Sequence, residues 1–276
     1  MKNVYQLFKY ASLFVVIVLL AGSTFAQKKR DMGGRAGNAV MWEPVDVKMQ
    51  NLFLGPGGAS MQPDVSRIIL VSEEKGGHSR KYKVKDGSGR TWVAKIGDEA
   101  QSETAAVRLL AALGYKTEIN YLVPTLMIPG KGTFHNVRLE ARPSDVERGK
   151  QWKWGDNPFE ETREYQGLKI MMAFFNNWDM KAANNVILKH GNDREYVISD
   201  LGVSFGKTGS NPLPLFWRVG RSRNVPEDYS KSKFVKGVSN SKVRLVYNGK
   251  NRSQMGDITV GDVRWLADLL IQLRSK

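Results

Sequence analysis

Between Arg67 and Gly97 the chain carries three strand-length segments in a row, RIILVSEE, RKYKVKD and RTWVAKIG. Gly76-Gly77 separates the first two, and the DGSG of Asp86 to Gly89 separates the last two. β-branched or alternating residues between glycine turns read as hairpin-connected strands, and strands joined by such short turns must run antiparallel. Directly after them, Ser102 to Leu113 (SETAAVRLLAAL) sets apolar residues at helical spacing, with Ser102 as the expected N-cap and Gly114 as the stop. Further strands are expected around 121–127, 136–140, 185–188 and 195–199, and further helices over 162–176 and 260–273, with a polar, irregular stretch over 143–161. Strands first and helices later point to an α+β protein and exclude an alternating βαβ plan.

The 276 residues contain no cysteine and only three histidines, His78, His135 and His190, far apart in the chain. Disulfides, thiolate metal sites and cysteine nucleophiles are thereby excluded, and carboxylate, amide and lysine chemistry remains. At the start, Lys2 and Lys9 precede an apolar run from Ala11 to Gly22, and Ser23-Thr24-Phe25-Ala26 offers small residues for a cut after Ala26. That is the three-part pattern of a secretory signal peptide over residues 1–26, and the apolar run falls short of the roughly 20 residues a spanning helix needs. An exported protein, periplasmic or extracellular, is the expectation; an uncleaved anchor is the alternative. Residues 27–66, rich in Gly, Pro and Met, read as an extended arm in which Trp42, Leu52, Phe53 and Leu54 require burial.

Four chemistry-bearing features follow one another in a telling order. Lys95 ends the third strand of the meander, in Trp92-Val93-Ala94-Lys95, and Glu103 begins the next helix, with Glu99 as its rival. Asp179 and Asn184 stand five residues apart in NNWDMKAANNVIL, where Asn185 competes with Asn184, and Asp200 opens Asp200-Leu201-Gly202 after an apolar strand. This order resembles the protein-kinase-like superfamily, which sets a strand lysine against a helix glutamate and carries H-R-D-L-x-x-x-N and D-F-G loops. The wider wording over residues 42–206, including GPGG, SETAAVRLLAALGY, NPFEETREYQGLK and NNWDMKAANN, is similar to a family of secreted bacterial kinase-like proteins with no established activity.

The resemblance implies a two-lobed fold. A small antiparallel-sheet N-lobe would span 67–140, and a mainly helical C-lobe with a basic segment would span 141–276. It also implies ATP or another nucleotide and Mg²⁺, with Asp179 as the base, Lys95 on the phosphates, Glu103 anchoring Lys95, and Asn184 and Asp200 on the metal. Gly76 and Gly77 would cover the phosphates through backbone N–H groups. Departures are plain in the residues: Asn177-Trp178 replaces His-Arg before Asp179, the first turn reads Gly76-Gly77-His78-Ser79, and no A-P-E follows Asp200. Phosphoryl transfer asks mostly for positioning and charge neutralisation, which these residue types supply.

The chain holds 42 Lys+Arg against 27 Asp+Glu, a formal charge of +15. Much of the excess lies between Lys207 and Arg252, where Glu227 and Asp228 are the only acids. Such a surface favours anionic partners, so the acceptor is expected to be an anionic protein, glycan or lipid, with a membrane surface as a further partner. Trp217, Tyr229, Phe234 and Tyr247 intersperse this segment, yet no nucleic-acid motif accompanies them, and nucleic acid is not expected as a partner. The competing reading is a kinase-like binding module without turnover, or a basic protein of the cell surface or envelope.

Overall fold

Burial on both faces marks β4 (Thr91–Ile96) as a central strand: Trp92, Val93, Ala94 and Lys95 are all buried. In the computed structural model, which describes residues 38–76, 79–208 and 221–273, β4 lies in a five-stranded antiparallel sheet. Its order is β2 (Ile69–Glu74), β3 (Arg80–Lys85), β4, β6 (Gly132–Ala141), β5 (Asn120–Ile128). Alternation splits each strand, since successive side chains leave opposite faces of a sheet. Trp92 and Ala94 enter a cluster with Tyr82, Val84, Val137 and Leu139, while Lys95 faces the opposite way, toward the helix.

That helix, α1 (Glu99–Ala112), joins β4 to β5. It starts a turn earlier than Ser102, the expected cap; Asp98 holds the N-cap position and Ser102 lies inside, buried. The chain turns at Gly114 with φ 94°, and a Cβ there would stand 2.2 Å from the Glu43 carbonyl oxygen. Glycine is therefore required by space as well as by dihedral angle. Val107, Leu110 and Leu113 of α1 pack into a second, larger cluster with Met171, Phe175 and Leu266.

The larger cluster is built on α2 (Arg163–Phe174), whose N-cap Thr162 accepts from the Tyr165 N–H, and on α4 (Val260–Leu270), opened by a Thr259–Asp262 capping box. β7 (Val146–Arg148), β8 (Asn185–His190) and β9 (Asp193–Ile198) belong to a four-stranded sheet ordered β1-β9-β8-β7. The edge strand β1 (Asn38–Val40) comes from the arm and pairs with β9 in parallel. The arm then bonds to the end of α1 through Glu43 N–H to Gly114 O at 2.9 Å, and Tyr121 donates to Gly58 O at 2.6 Å. One segment thus fastens elements of both cores.

Three expectations need correction. Phe53 is 77 % exposed, not buried; its ring lies under the Arg108 guanidinium at 5.9 Å. β7 falls within 143–161, expected to be irregular. The described residues of 141–276 are not mainly helical: the short α3 (Pro226–Tyr229) joins α2 and α4 there, but so do five strands, including a hairpin of β10 (Val235–Ser239) and β11 (Lys242–Leu245). Asn240 and Ser241 turn that hairpin with φ 49° and 61°, the positive pair a two-residue turn of this twist needs. Both strands are short, and Gly237 with its register shift breaks the alternation of β10. Residues 1–37, Gly77, His78 and Trp217 lie outside the described residues, as therefore do the leader-like segment and half of the Gly76-Gly77 pair. Among the described residues no helix is long and apolar enough to cross a membrane.

Candidate functional site

Lys95 is the centre of a buried charge cluster. Its ammonium, in a residue 2 % exposed, lies 2.8 Å from Glu99 Oε2, 2.9 Å from Glu103 Oε2 and 3.3 Å from Asp200 Oδ1. Glu99 and Glu103 are both partners because one helical turn stacks i and i+4 on the same face. Burial alone would push the Lys95 ammonium down; Glu103 and Asp200 outweigh it and hold it above the ordinary lysine value. Burial works against ionised Glu99 too, yet Lys95, with Ser79 and Arg223, holds its carboxyl down to about 2. Ser79 Oγ donates to Glu99 Oε2 at 2.8 Å and Arg223 Nη1 to Oε1 at 2.7 Å.

A second cation stands behind the first. Arg138 on β6 pairs directly across from Lys95 on β4, and like charges so placed repel. Glu103 bridges them, with Oε1 3.1 Å from Arg138 Nη1. Burial nevertheless pushes the fully enclosed Glu103 carboxyl above its ordinary value, with Arg138 and Lys95 opposing. Arg138 also holds Glu140 at 2.5 Å, and Glu140 passes the chain of charge to Arg142, beside which Arg148 meets Glu118.

Asp200 begins the loop after β9. Its Oδ1 accepts from the Gly202 N–H at 3.1 Å, and its side chain remains 40 % exposed. The next two residues are fixed from α1: Leu201 N–H donates to Glu103 Oε1 at 3.3 Å, and Ser102 Oγ to Gly202 O at 2.7 Å. A Cβ on Gly202 would lie 2.7 Å from Glu99 Cβ, so this glycine permits the loop to touch the helix. Gly202→Ala is expected to push the first turn of α1 outward and to cost about 1–3 kcal/mol, as overpacking does. Urea unfolding checks this; a change within 0.5 kcal/mol, the usual range for surface substitutions, would show that the contact relaxes freely.

Asp179 lies beyond the buried end of α2, past Asn176, whose φ is 53°. Asn177 Oδ1 accepts from the Asp179 N–H at 3.1 Å, while Asn177 Nδ2 holds Ser204 Oγ at 3.1 Å. Asn184 Nδ2 donates to Asp179 O at 2.8 Å and reaches Oδ2 at 3.3 Å. Lys181 lies 2.6 Å from Oδ2 and Lys250 3.2 Å from Oδ1, which is buried and accepts no hydrogen bond. Burial would raise the Asp179 carboxyl; Lys181 and Lys250 reverse this and hold it below the ordinary aspartate value.

The lysine, the two aspartates and Asn184 are thus joined. Lys95 contacts Asp200, the Asp200 N–H donates to Asn184 O at 3.3 Å, and the Asn184 amide contacts Asp179. Asn185 points elsewhere, donating to Trp152 O at 3.0 Å. Gly76 is exposed, and a Cβ there would meet nothing within 4 Å, so no close approach demands glycine at that position. Reading the sequence missed Arg138, Ser79, Arg223 and Lys250. Only Arg138 leaves a local trace, as a charge inside the wholly buried run from Val137 to Ala141.

Among the described residues no group of three or more His, Asp or Glu side chains gathers as a metal cage. The exposed carboxylate of Asp200 and the Asn184 amide oxygen, left over once Nδ2 turns to Asp179, still suit a hard cation that takes oxygen ligands and keeps its waters. A cavity of about 550 Å³ lies elsewhere, lined by Glu118, Arg142 and Arg148, and by none of Lys95, Asp179, Asn184 or Asp200. No protein-family model matches the chain, and no curated protein matches it either.

Proposed function

We propose that the protein is a two-lobed, kinase-like phosphotransferase that uses a magnesium nucleotide to phosphorylate a hydroxyl acceptor. The observation that carries this is the linkage of Lys95, Asp200, Asn184 and Asp179, from three separated stretches of chain, through contacts of 3.3 Å or less. The antiparallel sheet with its own core supports the small lobe, and the core around α2, which the apolar face of α1 also enters, supports the large one. The leader-like residues 1–26 put the activity outside the cytoplasm.

Each residue then has a defined task. Lys95, fixed by Glu99 and Glu103, offers a cation to the phosphate oxygens, which compete with Asp200 for it. Asp200 and Asn184 would hold Mg²⁺, which when bound neutralises charge on the phosphates. Asp179 receives the proton of the acceptor hydroxyl as that oxygen bonds to the terminal phosphorus and the bond to the nucleoside diphosphate breaks. The acceptor hydroxyl would take the place of Lys250 at Asp179 Oδ1, the oxygen without a hydrogen bond.

The second reading, nucleotide binding without turnover, draws on Lys181 and Lys250 beside Asp179. They lower the basicity of Asp179, and a weaker base gives less proton-transfer catalysis. Thermal unfolding with Mg²⁺ and ATP tests the common premise. Wild type is expected to gain stability with rising magnesium nucleotide, as any ligand of the native state gives, and Asp200→Ala to lose that gain. A response of the same size in Asp200→Ala would remove the nucleotide site.

A further inference from the structure

Asn176, three residues before Asp179, lines a second feature, which rests on the phosphotransferase reading and narrows its acceptor. A cavity of about 300 Å³ is walled by Asn176, Thr208 and Ser232 and edged by Lys207, Lys231 and Lys233. Asp228 is the one acid of the lining, giving three positive charges against one negative, and its Oδ2 is engaged by Ser222 Oγ at 2.7 Å. Among the described residues no ion pair joins the three lysines to a carboxylate, whereas Arg223, Lys242 and Lys250 of the same basic segment are each spent on one.

The wall is held in place before any ligand arrives. Asn176, buried and in a left-handed conformation, donates through Nδ2 to Gly206 O at 2.8 Å and to Ser232 Oγ at 2.5 Å. It thereby ties the loop that follows Asp200 to the segment carrying Lys231 and Lys233. Phe205 N–H to Phe175 O at 2.8 Å continues the same seam. Asn176 is also only three residues from Asp179, and three residues of chain span at most about 11 Å.

We propose that this cavity receives the phosphate group of a small, soluble phosphomonoester, such as a sugar phosphate, whose free hydroxyl reaches Asp179. Lysine ammonium groups bind phosphate as point charges, and three of them beside the Thr208 hydroxyl match a group with three acceptor oxygens. The volume accommodates the charged end of such a molecule and leaves the rest to extend toward the base, being at the small end of the range for ligand pockets. A soluble ester is favoured over a lipid headgroup because the exposed lysines rim a recess of about 300 Å³, which takes in a single phosphate group.

Calorimetric titration with glucose 6-phosphate, at low and at high salt, tests this. Wild type is expected to bind it, more weakly as salt rises, and Lys231→Gln/Lys233→Gln to bind it at least about tenfold more weakly, the loss expected for charged hydrogen bonds. Asp200→Asn is expected to bind it as wild type does. Absence of binding overturns the proposal. So does binding that survives in the lysine variant and disappears in Asp200→Asn, because the ester would then occupy the nucleotide site. Lysine-dependent capture on vesicles of anionic phospholipid, with no titration by the soluble ester, would overturn it in favour of a membrane contact. If magnesium nucleotide gives no thermal gain while the ester still binds through the lysines, the phosphotransferase reading falls and the anion site stands. If the nucleotide gain is present and the lysine variant binds the ester normally, the anion site falls alone.

Discussion

Asp179→Asn is expected to lower kcat by about 10²–10⁴-fold, the range that a positioned general base supplies, while magnesium nucleotide binding persists. Asparagine fills the same space and can still face Lys181, Lys250 and the Asn184 amide, so the loop between α2 and β8 keeps its shape. What it lacks is the capacity to take a proton. The pH profile of the wild-type reaction carries the same information. The acid form of Asp179 is inactive, and its lysine neighbours hold the carboxyl below the ordinary aspartate value of 3.8. Activity controlled by this group is therefore full above that value and falls only as pH drops through the lowered one. Turnover in Asp179→Asn equal to wild type would show that the base is elsewhere. Binding of magnesium nucleotide with no turnover in either protein would favour the non-catalytic reading.

Arg138→Met is expected to have the largest effect on stability, about 3–5 kcal/mol, because removing one member of a buried ion cluster leaves the others uncompensated. Arg138 is 4 % exposed and is shared by Glu103 and Glu140, both 2 % exposed or less. Methionine replaces the volume and none of the charge. Glu103 would keep Lys95 alone, and Glu140 would keep Arg142. Adding Glu140→Leu to Arg138→Met should recover part of the loss, since the stranded carboxylate goes with its partner. Urea unfolding of the two variants decides. A single variant within 1 kcal/mol of wild type would mean that the carboxylates regain compensation by other means, and the cluster would not be the keystone of the sheet–helix contact.

How far the sequence alone reaches is shown by particular elements. The meander was readable because glycine turns and alternation are local, and β2, β3 and β4 fall within the segments that carry those signals. Thr162 at the start of α2 and Gly114 after α1 were readable for the same reason. The start of α1 was misplaced because Ser102 looks like a cap in isolation, whereas its hydroxyl is committed to Gly202 O, 100 residues away. Phe53 was misplaced because an apolar side chain in an arm has no periodicity to say which way it faces. β10 and β11 are only five and four residues long, and Gly237 breaks the alternation of β10, so the strand pattern is weak although Asn240-Ser241 supplies the turn.

The same division runs through the site. The step of five from Asp179 to Asn184 and the placement of Lys95 at a strand end belong to the sequence, since both depend on a short stretch of backbone. Which asparagine meets Asp179 was open until the turn at 182–184 directed Asn184 inward to it and Asn185 to Trp152 O. Whether Glu99 or Glu103 serves Lys95 had no answer in the sequence, and tertiary packing uses both, one helical turn apart. Arg138, Ser79, Arg223 and Lys250 come from four further places in the chain and meet the site only after folding. Periodicity and turn chemistry are written residue by residue, so the chain determined its α+β class and the meander followed by a helix over 67–113. The neutralisation of buried charges depends on which elements finally lie within about 4 Å of each other, the reach of an ion pair, and that only the tertiary structure decided.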